Sequence, residues 1–212
     1  MDERLRDEEA FRAALGRGDA AGAVRAVQRL GLQTRMLSGD LPMRDALFVN
    51  ERVARALALA GAAVPPVEEV VGARGTLGVR LAVAAHRPGA TELGMALSRA
   101  SSLETFRALL EAGADVHARD RHGFTPLAVA LELRNMPNAD WLLRAGADVN
   151  AVNYAGNSLL HQMAEQDNHV AVDWLRRHGA NQRARNRDGL LFTDLLPFME
   201  TSGPGRMAHG HG

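Results

Sequence analysis

Gly113-Ala114-Asp115-Val116 recurs as Gly146-Ala147-Asp148-Val149 and again, shortened, as Gly179-Ala180-Asn181, with the glycines thirty-three residues apart each time. Two further series keep the same step: Gly123, Gly156 and Gly189, and the pair Trp141 and Trp174. Three kinds of marker in one register define an internal repeat. A period of this size is the signature of a stacked array rather than of a globule built round one central core.

Each unit reads as two helices and an extended loop. Thr125-Pro126-Leu127 opens a helix, because a Thr hydroxyl caps free backbone N–H groups and Pro is tolerated at the first helical position. Ser158 holds the equivalent cap slot one unit later. A second helix closes on Leu142-Leu143-Arg144-Ala145-Gly146, where Gly permits the left-handed conformation that ends helices. The stretch from Ala147 to Tyr154 then runs extended and reverses at Ala155-Gly156, as a tight hairpin-like turn requires. In the second helices Phe106 and Leu109, Ala139 and Leu142, and Val172 and Leu175 repeat one i, i+3 pair. With Trp141 and Trp174 they predict an apolar stripe that only a neighbouring unit can bury. Indoles in that core would each cost about 3–5 kcal/mol on truncation to Ala.

The opening Gly123-Phe124-Thr125-Pro126-Leu127, the tail Gly-Ala-Asp-Val-x-Ala and the thirty-three-residue period closely resemble ankyrin repeats. Ala128 stands where that family usually has His, whereas Gly156-Asn157-Ser158-Leu159-Leu160-His161 keeps the His and loses Thr and Pro. The resemblance implies an all-α solenoid of stacked helix-turn-helix units with short β-hairpin-like fingers. It is specific over residues 91–190 and weaker over nearly the whole chain.

Residues 1–200 are accordingly expected to form a single ankyrin-repeat domain. Degenerate units fall at 5–31 and 41–64, clearer units at 91–188, and a truncated C-terminal cap at 189–200, where Pro197 stops the helix early. Gly61 to Gly113 is too long for one unit and too short for two. Residues 65–90, which include Pro65-Pro66, therefore read as either a degenerate finger-less unit or a helical insert. The Gly/His-rich residues 201–212 are expected to be a disordered tail.

Composition narrows the chemistry. The chain has 25 basic and 25 acidic residues and no net charge, which speaks against nucleic acid as the partner. Every basic residue is Arg, and Lys, Ile and Cys are absent, a bias expected of a GC-rich bacterial genome. The same absences remove disulfides, thiolate nucleophiles, Schiff-base lysines and the phosphate-loop lysine. Met1-Asp2-Glu3-Arg4-Leu5-Arg6-Asp7-Glu8-Glu9 shows no signal-peptide pattern, and no run approaches the ~18 apolar residues of a membrane span. The expected compartment is the cytoplasm, with no membrane contact.

No catalytic constellation emerges, and no cofactor or metal is expected. His117, Asp120 and His122 lie close enough in sequence to suggest a metal, but all three fall at ordinary finger positions. His161 sits at the position where, by the resemblance, a histidine bonds across neighbouring units. Arg17-Gly18-Asp19 is an Arg-Gly-Asp tripeptide placed in an inter-helix turn. Gly72, Gly75 and Gly78 mimic a phosphate loop only in outline, with no Lys to follow. An enzyme hidden in 65–90 is the remote alternative.

The resemblance places partner contacts on the fingers and the adjoining first-helix face. Carried onto this sequence, the finger candidates are Arg119, Arg121, His122, Phe124, Val152, Tyr154, Ala155 and Asn157, and the helix candidates Glu132, Leu133, Glu165 and Gln166. Arg176, Arg177, Arg183, Arg185 and Arg187 follow one another with no intervening acid and, with Arg119 and Arg121, suggest a positive edge for an acidic partner. The expected function is a monomeric, protein-binding scaffold or inhibitor, narrowed to an immunity-type protein neutralising a cognate toxin. The alternative is a bacterial effector that binds a host protein.

Overall fold

The computed structural model describes residues 3–73 and 75–196. Helices follow in pairs: α1 (Glu3–Arg17) with α2 (Ala20–Leu30), α3 (Pro42–Val49) with α4 (Glu51–Leu59), and α5 (Val67–Val70) with α6 (Leu77–His86). The later pairs are α7 (Ala90–Leu97) with α8 (Leu103–Glu111), α9 (Pro126–Glu132) with α10 (Met136–Arg144), and α11 (Leu159–Glu165) with α12 (His169–Arg177). A 3-10 turn, Phe192–Asp194, packs on α11 at the far end.

Short helices this size are marginal alone and depend on caps and stacking. Asp19, Asn50, Ser102, Thr125, Asn135 and Asn168 each accept a backbone N–H at the start of a helix. Ser158 departs from the expectation. It makes no cap bond, and its hydroxyl lies 2.7 Å from His161 Nδ1 instead. The other ring nitrogen of His161 lies 2.9 Å from the Leu190 carbonyl, so a buried histidine links α11 to the loop that follows α12.

The first helices pack in a continuous row, α1 on α3, α3 on α5, α5 on α7, α7 on α9 and α9 on α11. In the second row α2 packs on α4 and α6 on α8. The irregular 65–90 stretch thus contributes a helix pair whose short α5 stands in line with the other first helices. Phe106, Leu109, Ala139, Leu142, Val172 and Leu175 are all buried, and they belong to one core that runs the length of the described chain.

The tryptophans are not in that core. Trp141 and Trp174 are only partly buried and cover its edge. Trp141 meets the Phe106 ring at 5.7 Å. Trp174 donates its Nε1–H to Asp140 at 3.1 Å and stacks on His178. Their truncation removes edge packing rather than core volume, so the full core penalty does not apply to them.

Buried amides sew the units together. Asn138 Nδ2 donates to the carbonyls of Ser98 at 2.9 Å and Ala100 at 3.1 Å, one unit back. Asn168 Nδ2 donates to Leu131 O at 2.9 Å across the next junction. The described part of the expected cap, 189–196, ends in the 3-10 turn, where Asp194 Oδ2 accepts from Leu191 N. Pro197 and the expected tail at 201–212 lie outside the described residues.

Candidate partner-binding surface

Ahead of α9, of α11 and of the 3-10 turn, three loops project with one shared internal geometry. Asp120 N donates to Phe124 O at 3.0 Å, Asn153 N to Asn157 O at 2.9 Å, and Asn186 N to Leu190 O at 3.1 Å. The side-chain Oδ1 of each leading residue accepts two further N–H groups from the turn it opens. The reversal places Gly123, Gly156 and Gly189 at φ of 82°, 85° and 77°, a left-handed conformation that Gly adopts without a Cβ penalty. Isolated antiparallel bridges, Val152 to Ser158 and Arg185 to Leu191, complete two of the fingers.

Adjacent fingers are bonded to each other. Tyr154 N donates to His122 O at 3.2 Å, and Asn181 N to Asn150 Oδ1 at 2.7 Å. Arg119 Nη1 donates to Gly123 O of its own finger and to Val152 O of the next. Asn157 is also engaged on both sides: its Nδ2 donates to Glu165 Oε1 at 2.9 Å, and its Oδ1 accepts from Asn186 Nδ2 at 3.0 Å. Arg119 and Asn157 are therefore clamps within the array, where the sequence suggested contacts for a partner. A guanidinium and a carboxamide are drawn to the nearest carbonyls and amides, and finger stacking supplies these at bonding distance.

The remaining candidates divide by exposure. Tyr154 is 56% exposed, Leu133 50% and Val152 46%. Arg121, His122, Glu132, Gln166, Arg185 and Arg187 are exposed, while Phe124 is half-buried against the core with its ring 6.2 Å from that of His122. Arg121 Nε donates to His122 Nε2 at 3.0 Å, joining these two on one finger tip. Arg185 Nη1 donates to Gly189 O within its own finger, and the Arg187 stem lies over Gly156 of the preceding one.

The row of arginines is less uniform than its sequence. Arg176 is drawn off by Asp173 at 3.6 Å and by Gln182 at 3.0 Å. Arg121, Arg177, Arg183 and Arg187 form no ion pair among the described residues. The arginines outside these ion pairs thus lie on or beside the fingers and at the end of α12. Gln162, which the sequence did not single out, is buried with its Nε2 on Asn157 O, and its Oε1 has no partner among the described residues. Register alone would have marked it, since it stands where the preceding unit has the apolar Val129.

Other candidates resolve as local structure. Asp115 Oδ1 accepts His117 N, and Asp120 Oδ1 accepts the turn N–H groups, so both carboxylates serve their own loops. No group of three or more His, Asp or Glu able to hold a metal occurs among the described residues. Asp19 of the Arg-Gly-Asp tripeptide caps α2 through Gly22 N at 2.9 Å. Among the described residues no helix is long and apolar enough to cross a membrane.

A family model described as Ankyrin repeat matches residues 122–154, which span one finger and the helix pair that follows it. Two solved structures share the architecture along most of their length. The crystal structure of the ankyrin repeat domain of Bcl-3, a member of the IkappaB protein family, is 23% identical with a TM-score of 0.63, over 89% of this chain and 94% of that one. This is an ankyrin-repeat fold. The human ASB11 ankyrin repeat domain is 21% identical with a TM-score of 0.67, over 88% of this chain and 91% of that one. No curated protein matches. In this chain the fingers carry exposed aromatic and guanidinium groups, Tyr154 with Arg121 and Arg187.

Proposed function

We propose that this ankyrin array is a monomeric adaptor or inhibitor that grips an acidic surface of one protein across its last three fingers. The reading rests on the division of labour within those fingers. Asp120, Asn153, Asn186 and Arg119 meet the needs of the loops themselves. Tyr154, at 56% exposure, and Arg121, Arg183 and Arg187 remain for something else. A rigid aromatic flanked by guanidinium groups is a hot-spot composition, and the excess positive charge raises the encounter rate with an acidic surface. Val152, Leu133, Glu132 and Gln166 extend the surface from the finger flanks to the ends of the first helices. We read 65–90 as a degenerate finger-less unit, supported by the place of α5 in the first-helix row.

The narrower reading is an immunity-type inhibitor acting in a bacterial cytoplasm, for which the target is a toxin encoded beside it. The competing reading within the binding class is an effector delivered to a host. Affinity capture with the full chain tests the surface. Wild type should enrich one acidic protein, Tyr154→Ala/Arg121→Glu should lose it at least tenfold, and Arg52→Glu on α4 should retain it. Equal recovery by the finger variant overturns the surface. Growth rescue on co-expression with a neighbouring gene product separates immunity from effector.

A further inference from the structure

The register that aligns Trp141 with Trp174 places Ala108 at the same position of α8. At the two later junctions the indole leans back onto the preceding second helix, Trp141 onto Phe106 of α8 and Trp174 onto Asp140 of α10. At the α6–α8 junction a methyl group stands where those indoles stand. A groove of about 280 Å³ runs there, floored by Val79, Val83, Ala108 and Ala112 and edged by Arg80 and Glu111. A second depression of about 250 Å³ shares Arg80, Ala108 and Glu111 with it and lengthens it along α8.

We propose that this groove on the second-helix side is a docking site for a tryptophan side chain presented by a partner protein. The chain itself shows what the position accepts, because indoles occupy it at the two later junctions. The chemistry of the lining agrees. Methyl and isopropyl groups make a floor for a flat ring, and Glu111 offers a carboxylate among the lining groups to the indole N–H. Arg80 also lines the groove, and a guanidinium attracts an aromatic face. Leu or Phe would fill the floor and leave the carboxylate without its donor. A single side chain in an open groove binds weakly alone, so its natural carrier is a protein that makes further contacts. The site is separate from the fingers and does not depend on the reading of them.

The probe is N-acetyl-tryptophanamide, titrated into the full ¹⁵N-labelled chain with N-acetyl-leucinamide as comparison. The expected result is saturable amide shifts at Val79, Val83, Ala108 and Ala112, with half-saturation at about millimolar probe and at least threefold weaker binding of the leucine analogue. Ala108→Trp should supply the indole in cis, raise Tm and abolish the shifts. Shifts scattered over the chain, equal for both probes, or unchanged in the Ala108→Trp protein overturn the proposal. Should that variant not fold, Val83→Glu puts a charge into the floor, and shifts that persist in the folded Val83→Glu chain overturn it equally. Groove shifts that grow with protein concentration in the absence of probe assign the groove to a second copy of this chain, which also overturns it.

Discussion

Gly123, Gly156 and Gly189 occupy the same turn at nearly the same φ, 82°, 85° and 77°, but differ in what lies above them. A Cβ on Gly123 would lie 2.6 Å from the backbone nitrogen of Tyr154 and 2.8 Å from its ring. On Gly156 it would lie 2.6 Å from the Arg187 Cγ, part of a flexible side chain, and on Gly189 it would meet nothing within 4 Å. Substitution by Ala therefore imposes a common conformational penalty of about 1–2 kcal/mol at all three positions. At Gly123 it adds displacement of the next finger and loss of the Tyr154 N to His122 O bond, worth about 1 kcal/mol more before packing is counted. Gly189→Ala should thus cost about 1–2 kcal/mol, Gly156→Ala slightly more as Arg187 swings aside, and Gly123→Ala about 2–3 kcal/mol. Urea denaturation of the three variants gives the order, and hydrogen exchange at the Tyr154 amide gives the cause. Exchange should quicken in Gly123→Ala and stay at the wild-type rate in Gly189→Ala. Three equal losses with unchanged Tyr154 exchange would refute direct finger-on-finger contact as the reason these turns need glycine.

Four further outcomes are expected. Arg134 holds φ of 56° at the turn between α9 and α10, so Arg134→Gly should stabilise by about 0.5–1 kcal/mol in urea melts, the relief of strain exceeding the added chain entropy. Asp167, at φ of 53°, should gain less from the same change, since Asp tolerates that region and pairs with His169 at 2.7 Å. Asn138→Ala withdraws a buried donor from the carbonyls of both Ser98 and Ala100 and should lower stability by about 2–4 kcal/mol, with the α7–α10 amides losing exchange protection first. Burial, then the neighbouring Asp40, pushes the Asp45 carboxyl above its ordinary range against the opposing pull of Arg44 and Arg12. The folded chain then keeps that proton to higher pH than the unfolded chain, and stability falls as pH rises from the unfolded to the folded value. Asp45→Asn should accordingly raise Tm at neutral pH and leave it unchanged near about pH 3, where the carboxyl is largely protonated in both states.

The repeat, its helix pairs and its turns were legible in the chain because each follows from local chemistry. A Thr or Asn before a helix, a Gly where φ must be positive, and an i, i+3 apolar pair act within a few residues of themselves. The match to an ankyrin repeat at 122–154 falls on the unit whose Gly-x-Thr-Pro-Leu opening is intact. The exposure of Tyr154 and Arg121 follows from their place at a hairpin tip. The same rules missed wherever a neighbour competed for a side chain. Ser158 left its cap slot for His161, and Arg119 turned along the array to Val152 O.

Sequence alone determined the period, the helical content and the need for each unit to lean on the next. Stacking decided the rest: that the indoles border the core, that Asn157 is tied up between Glu165 and Asn186, and that Ala108 opens a groove where its counterparts close one. The reason is geometric. A side chain's partners across a junction are set by the spacing of two units some thirty residues apart, and no residue encodes that spacing until both units are folded against each other.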